Sequence, residues 1–89
     1  MNAAKILREK IGDEERVTTG MICTFHFWPG MVEMAMKAGL DYLIIDLEHL
    51  SFDAETVAGA CSIGRREDFP ILVRPPSADY TPVRMAMDL

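Results

Sequence analysis

The sequence contains no apolar run near the ~20 residues that a membrane-spanning helix needs, and Met1-Asn2-Ala3-Ala4-Lys5 lacks the apolar core of a secretory signal. The expectation is a cytoplasmic protein with no membrane partner. Positive charge is scarce: nine Lys and Arg stand against 14 Asp and Glu, a net charge of −5. The only basic cluster, Arg65-Arg66, falls at the end of a predicted helix, where it complements the helix dipole without a ligand. Nucleic acid is therefore not an expected partner. Cysteine is sparse too. Cys23 and Cys61 each sit among apolar residues and read as free thiols in a reducing compartment. There are only two histidines and no third ligand nearby, so no complete metal site follows from spacing. No Gly-rich phosphate loop, CxxC pair, HExxH or GxSxG occurs, and no low-complexity segment or linker divides the chain.

What is present is a soluble globular composition, 49% hydrophobic and 26% charged, with two alternating periods. Ala3, Ile6, Leu7 and Lys10 fall on one face of a helix over 3–11, with Lys5, Arg8 and Lys10 read as a solvated charged face. Residues 18–25 are β-rich and predict a first strand. After a His26-Phe27-Trp28 loop, Pro29 suits a first helical turn. Met31, Met34, Ala35 and Ala38 then predict an amphipathic helix over 30–38, stopped by Gly39. The seven methionines read mostly as core packing.

A second strand is predicted over 41–46, then a helix with Asp53 as N-cap, Phe52 and Val57 as a hydrophobic staple, and Val57, Ala60, Cys61 and Gly64 on one face. Asp68-Phe69-Pro70 breaks that helix. A third strand follows over 71–74, and a last helix is predicted from Thr81 as cap and Pro82 at its first position.

Helix, then strand–helix three times, predicts an α/β fold of right-handed parallel βαβ units. The last helical period is unfinished at Leu89. The expectation is that residues 1–89 are a single partial domain, the N-terminal part of a longer protein truncated in its third βα helix. A closed (β/α)₈ barrel takes about 250 residues. Three parallel strands alone leave both sheet edges open, so the isolated chain is expected to fold poorly or to oligomerise.

The stretch Tyr42-Leu43-Ile44-Ile45-Asp46-Leu47-Glu48-His49 holds the densest chemistry. An apolar run typical of a buried parallel strand ends in two carboxylates and an imidazole, at the strand end where such folds place their chemistry. Strand parity puts Tyr42, Ile44 and Asp46 on one face and Leu43 and Ile45 on the other. Arg74 and Leu72 on the third strand would share the face of Asp46. An Asp bonded to one imidazole nitrogen sets the tautomer and supports base chemistry at the other nitrogen. The planar fork of an Arg fits a carboxylate. Asp46, His49 and Arg74 thus suit proton transfer on a small keto acid. Each has a structural reading as well: Asp46 as a cap or turn former, His49 as a loop histidine, Arg74 as an ion-pair partner of Asp46 or Glu48. Glu48 reads as a solvated or supporting group, and His26-Phe27-Trp28 as a packing cluster or a site wall.

Gly20-Met21, Val32-Glu33-Met34-Ala35, Ala38-Gly39-Leu40-Asp41-Tyr42, Ile45-Asp46-Leu47-Glu48-His49 and Val73-Arg74-Pro75 occur in an order and spacing that resemble the HpcH/HpaI aldolases. These are metal-dependent (class II) pyruvate aldolases, such as 2-dehydro-3-deoxyglucarate aldolase and 4-hydroxy-2-oxoheptanedioate aldolase. The resemblance covers residues 5–89, about the first third of such an enzyme. It implies a TIM barrel of the phosphoenolpyruvate/pyruvate type and cleavage of a 4-hydroxy-2-oxo acid to pyruvate and an aldehyde. It implies His49 as general base acting through metal-bound water, Asp46 as its partner, and Arg74 as the arginine that binds pyruvate and stabilises its enolate. It also implies a divalent cation, Mg²⁺ or Mn²⁺, held by a Glu and an Asp beyond Leu89, and a homo-oligomer at full length. The 89 residues alone would then be inactive. Leu50-Ser51 after the Glu-His pair, Ile22 in place of a frequent aromatic, and the bulky His26-Phe27-Trp28 loop depart from the family pattern. The alternatives are a lyase of the citrate-lyase-β or malyl-CoA type, and a non-catalytic assembly fragment.

Overall fold

A computed structural model describes residues 2–49 and 53–89. The elements run α1 (Asn2–Gly12), β1 (Gly20–Cys23), α2 (Gly30–Lys37), β2 (Tyr42–Asp46), α3 (Ala54–Arg66), β3 (Ile71–Arg74) and α4 (Tyr80–Met87). The three strands are parallel in the order β1-β2-β3. The predicted α/β architecture of an N-terminal helix and three βα units is thus the observed one. Both β1 and β3 are sheet edges among the described residues.

One face of the sheet is covered by helices. Leu43 and Ile45 are fully buried there, against Val32 and Ala35 of α2 and Val57 and Ala60 of α3. This short layer of branched and small side chains is the hydrophobic core, and removing these apolar groups from water supplies its driving force. The other face carries Ile22, Tyr42, Ile44, Asp46, Leu72 and Arg74. Ile22 and Leu72 remain exposed on it. The parity expected from the second strand therefore holds. α1 sits at the N-terminal end of this open face, where Leu7 and Ile11 share a cavity with Tyr42, Ile44 and Leu72.

Two helices stop for the same reason. After α2, Gly39 adopts φ +83, the left-handed conformation a glycine takes without Cβ strain. The Gly39 and Leu40 N–H groups then donate to the Met36 and Ala35 carbonyls, at 3.1 and 3.0 Å. After α3, Asp68 takes φ 54 in the equivalent place, and the Phe69 N–H donates to the Gly64 carbonyl at 2.8 Å. The predicted N-cap of α3 is present: the Asp53 carboxylate accepts from the Glu55 N–H. Phe52 of the expected staple lies outside the described residues.

Four details differ from the sequence reading. First, β1 is shorter than 18–25. Only residues 20–23 are in register with β2, and Thr19 is drawn instead into bonds with Asp41: its N–H donates to the carboxylate, and its carbonyl accepts the Asp41 N–H. Second, α2 buries Val32 and Ala35 and leaves Met34 exposed. Two apolar stripes one residue apart both satisfy the 3.6 period, and the β-branched Val32 is the one that meets the sheet. Met31 and Met36 pack on the core, whereas Met21, Met34, Met85 and Met87 are exposed. Third, α4 begins at Tyr80 after Asp79, not at Pro82 after Thr81. Pro82 then stands in the first turn, where N–H groups have no intrahelical acceptor and a missing one costs nothing. Fourth, Lys10 is not simply solvated, because its Nζ lies 2.9 Å from Asp41.

Candidate active site

The parallel ladder places Asp46 level with Arg74, and the Leu47 N–H bonding the Arg74 carbonyl at 2.9 Å holds that register one residue beyond. Side chains level on neighbouring parallel strands point the same way. The Arg74 guanidinium accordingly meets the Asp46 carboxylate side by side: Nε donates to Oδ1 at 3.0 Å and Nη2 to Oδ2 at 2.5 Å. This two-pronged fit is the strong geometry for an Arg–carboxylate pair. Beyond the strand the chain turns on the same carboxylate, whose Oδ1 accepts the backbone N–H groups of Glu48 and His49 at 2.9 and 3.4 Å. That turn swings the His49 ring back, so that Nδ1 lies 2.6 Å from Asp46 Oδ2.

Asp46 is thus both turn former and hub, and its side chain is fully buried. Arg74 foremost holds its carboxyl well below the usual carboxylate range; the bonds from His49 and from the two backbone N–H groups add to this, while burial opposes them. The pairing works in reverse on Arg74, whose guanidinium is held still more firmly in its charged form by Asp46.

An ionised Asp46 decides the tautomer of His49. Arg74 Nη2 also lies 2.9 Å from Nδ1, and an arginine can only donate. Were Nδ1 to accept from it, two lone pairs would face each other across the short gap between Nδ1 and Asp46 Oδ2. A proton on Nδ1 donated to Asp46, with the Arg74 Nη2 hydrogen directed to the same carboxylate and not to the ring, removes that conflict. Nε2 is then the basic nitrogen. The His49 side chain is 54% exposed, with Glu48 Oε1 at 3.8 Å from Nε2. A buried anion therefore orients a half-exposed histidine through Nδ1 and leaves Nε2 beside Glu48.

The structure brings Asp46, His49 and Arg74 into direct contact and sets Glu48 at the rim. It also shows that Arg74 is the ion-pair partner of Asp46. Its fork uses Nε and Nη2, so a ligand carboxylate would meet the guanidinium on the side of Nη1. The His26-Phe27-Trp28 cluster divides: Phe27 is buried in the core, while His26 and Trp28 are exposed.

Asp41, at the opposite end of β2, was singled out by sequence only as part of a motif. It is almost fully buried and accepts from Lys10 Nζ at 2.9 Å, Arg16 Nη2 at 2.8 Å and the Thr19 N–H at 2.9 Å. The Thr19 bond first, then Lys10, lowers its pKa to about 2. An acidic residue just before a strand, with basic residues in an upstream helix, was the available signal.

Cys23 and Cys61 are free, and burial pushes both thiols up. No group of three His, Cys, Asp or Glu side chains among the described residues is arranged to hold a metal. Asp46, the best-placed carboxylate, already has both oxygens engaged by Arg74 and His49. The described residues therefore do not themselves fit the divalent cation that the resemblance implies. No helix among them is long and apolar enough to cross a membrane.

No protein-family model and no curated relative matches the sequence. Among solved structures, the chain is similar to the HpcH/HpaI aldolase from Desulfitobacterium hafniense DCB-2, with a TM-score of 0.79 and 26% identity. The match covers 93% of this chain and 32% of that one, so the chain spans about a third of the length of the structure it resembles. Motif order, parallel βα topology and this superposition agree: the chain has the fold of part of the TIM barrel of an HpcH/HpaI aldolase.

Proposed function

We propose that this chain supplies the acid–base and anion-binding corner of a pyruvate-type aldolase, cleaving a 4-hydroxy-2-oxo acid to pyruvate and an aldehyde. The observation that carries the reading is the Asp46–His49–Arg74 cluster: a base-competent imidazole nitrogen beside a cation, both organised by one buried carboxylate. His49 Nε2 takes the proton of the C4 hydroxyl. The C3–C4 bond breaks, its electron pair passes into the enolate of pyruvate, and the C4 carbonyl leaves as the aldehyde. A proton delivered to C3 then completes pyruvate. Arg74 holds the substrate carboxylate with the part of its guanidinium not engaged by Asp46, and its fixed charge lowers the energy of the developing enolate. Asp46 keeps the His49 tautomer and ring orientation through the cycle.

The proposal extends to the domain. Two open sheet edges, and a match to one third of an aldolase chain, support residues 1–89 acting as three units of a larger (β/α)₈ barrel. The reaction in this family uses a divalent metal as Lewis acid on the enolate. With no donor set among the described residues, that ion would be bound elsewhere in the barrel. A soluble small-molecule enzyme of the cytoplasm, assembled as a homo-oligomer, is part of the same reading.

The test is retro-aldol cleavage of 4-hydroxy-2-oxo acids, read as pyruvate release, in the complete barrel of which residues 1–89 are proposed to be part and in its His49→Ala variant. Removing a general base costs about 10²–10⁴-fold. A variant with wild-type turnover and unchanged circular dichroism would remove His49 from the mechanism. Cleavage of an acyl-CoA thioester substrate instead would favour the malyl-CoA type of lyase.

A further inference from the structure

The parallel register makes a prediction about the other half of the substrate. Cys23 of β1 is level with Ile45 of β2, so the segment from Thr24 leaves the sheet at the same end as Asp46 and His49. It does so on the side of β2 away from Arg74, which belongs to β3. His49 therefore stands between a cationic neighbour on one side and the segment 24–28 on the other.

That segment is aromatic and unusually exposed. Phe25 is 90% exposed and Trp28 47%, although burying either ring would be favourable. The segment is also anchored. Phe27 is buried in the core cluster, and the Trp28 carbonyl accepts the Met31 N–H at 2.9 Å at the start of α2. The indole lies directly over Gly30, where an added Cβ would come within 1.7 Å of the ring. Thr24 to Pro29 contains no Lys, Arg, Asp or Glu. The result is an anchored loop that shows two aromatic faces and no fixed charge.

We propose that Phe25 and Trp28 form the wall for the aldehyde half of the substrate, and that they select a carbonyl compound with an apolar tail over one with a carboxylate tail. This rests on the aldolase reading for the placement of pyruvate at Arg74. The cationic side takes the oxo-acid end, His49 handles the hydroxyl at the bond that breaks, and the remaining substituent extends toward β1. A carboxylate there would lose hydration against aromatic rings, with no Lys or Arg in the segment to receive it. An alkyl or aryl tail would gain contact with both rings.

Trp28 is the sole tryptophan, so its fluorescence reads this wall directly. The protein is titrated with hexanal and with succinic semialdehyde, probes that differ chiefly in the tail. Hexanal is expected to shift the Trp28 emission saturably, and to bind about tenfold or more tighter than the semialdehyde, the scale of apolar-pocket discrimination. Phe25→Ala, at an exposed position that folding does not depend on, is expected to weaken hexanal about tenfold on the same scale. Equal responses to the two aldehydes, no response to hexanal, or an unaltered Phe25→Ala would each overturn the proposal. Pyruvate release from 4-hydroxy-2-oxo acids is followed in parallel in the complete barrel, where the proposed metal site is present. Its absence with the emission response intact would refute the aldolase reading and leave the apolar wall standing. Turnover without tail discrimination would do the opposite.

Discussion

A buried carboxylate stands at each end of β2, Asp41 immediately before it and Asp46 as its last residue, and the two differ in what their partners leave unused. At the N-terminal end, Asp41 is enclosed by Lys10, Arg16 and the Thr19 N–H. All three only donate, and the network contains no group that can take up a proton at neutral pH. At the C-terminal end, Asp46 is bound by an arginine and two backbone N–H groups as well, but one of its partners is a half-exposed imidazole with a second nitrogen. The same chemistry makes a clasp in the first place and a candidate reactive site in the second. A buried, depressed carboxylate is therefore not a mark of function. The mark is a neighbour that converts its charge into directed basicity at an accessible atom.

The largest effects are expected at His49 and Arg74 in the complete barrel. Arg74→Ala is expected to lower aldol cleavage by a factor as large as that of His49→Ala, about 10²–10⁴, with a far-ultraviolet spectrum like that of the wild type. Turnover within a few fold of the wild type would reduce Arg74 to an ion-pair partner of Asp46. Asp46→Asn comes next. In the proposed mechanism Asp46 orients the base without carrying the proton, so the loss of kcat should be smaller than that of His49→Ala. An equal or larger loss would mean that the buried charge itself takes part in the chemistry.

Asp41→Asn should do the reverse: leave kcat unchanged and lower Tm. Its pH signature follows from sign. The folded pKa, about 2, lies below the ordinary 3.8, so the stabilisation is fully present above the ordinary value and is lost as the pH falls toward 2. Unfolding midpoints measured from pH 5 down to 2 should therefore fall less steeply in Asp41→Asn than in the wild type. Parallel slopes would show that the clasp does not titrate as the structure requires. The smallest effect is expected for Lys10→Ala, because a partly exposed ion pair contributes little and Arg16 remains. A fall in Tm as large as that of Asp41→Asn would mean that Lys10 alone holds α1 in place.

The strands, the helix stops at Gly39 and near Asp68, and the face assignments along β2 and β3 were legible because each depends on neighbours a few residues away. The limits of that legibility are equally specific. Two methionine-containing stripes in 31–38 fit the helical period, and only the sheet against which α2 packs selects Val32 over Met34. Thr81-Pro82 carried a plausible start signal, yet proline is tolerated anywhere in a first turn and the helix begins at Tyr80. In the candidate site, the residue types and their common end of the sheet could be read from Asp46, His49 and Arg74. The sequence left Arg74 with Asp46 or Glu48 as an ion-pair partner; that it is Asp46, through Nε and Nη2, rests on a pairing 28 residues apart in the chain.

Backbone period and strand parity are local properties, so the parallel βα units and the face of β2 shared by Tyr42, Ile44 and Asp46 were readable from the residues alone. That Asp41 is a closed clasp, that Asp46 is a hub, and that His49 Nδ1 is turned onto the Asp46 carboxylate came from the assembled fold. Those outcomes depend on which distant cation or backbone N–H reaches each carboxylate, and on how little solvent remains beside it.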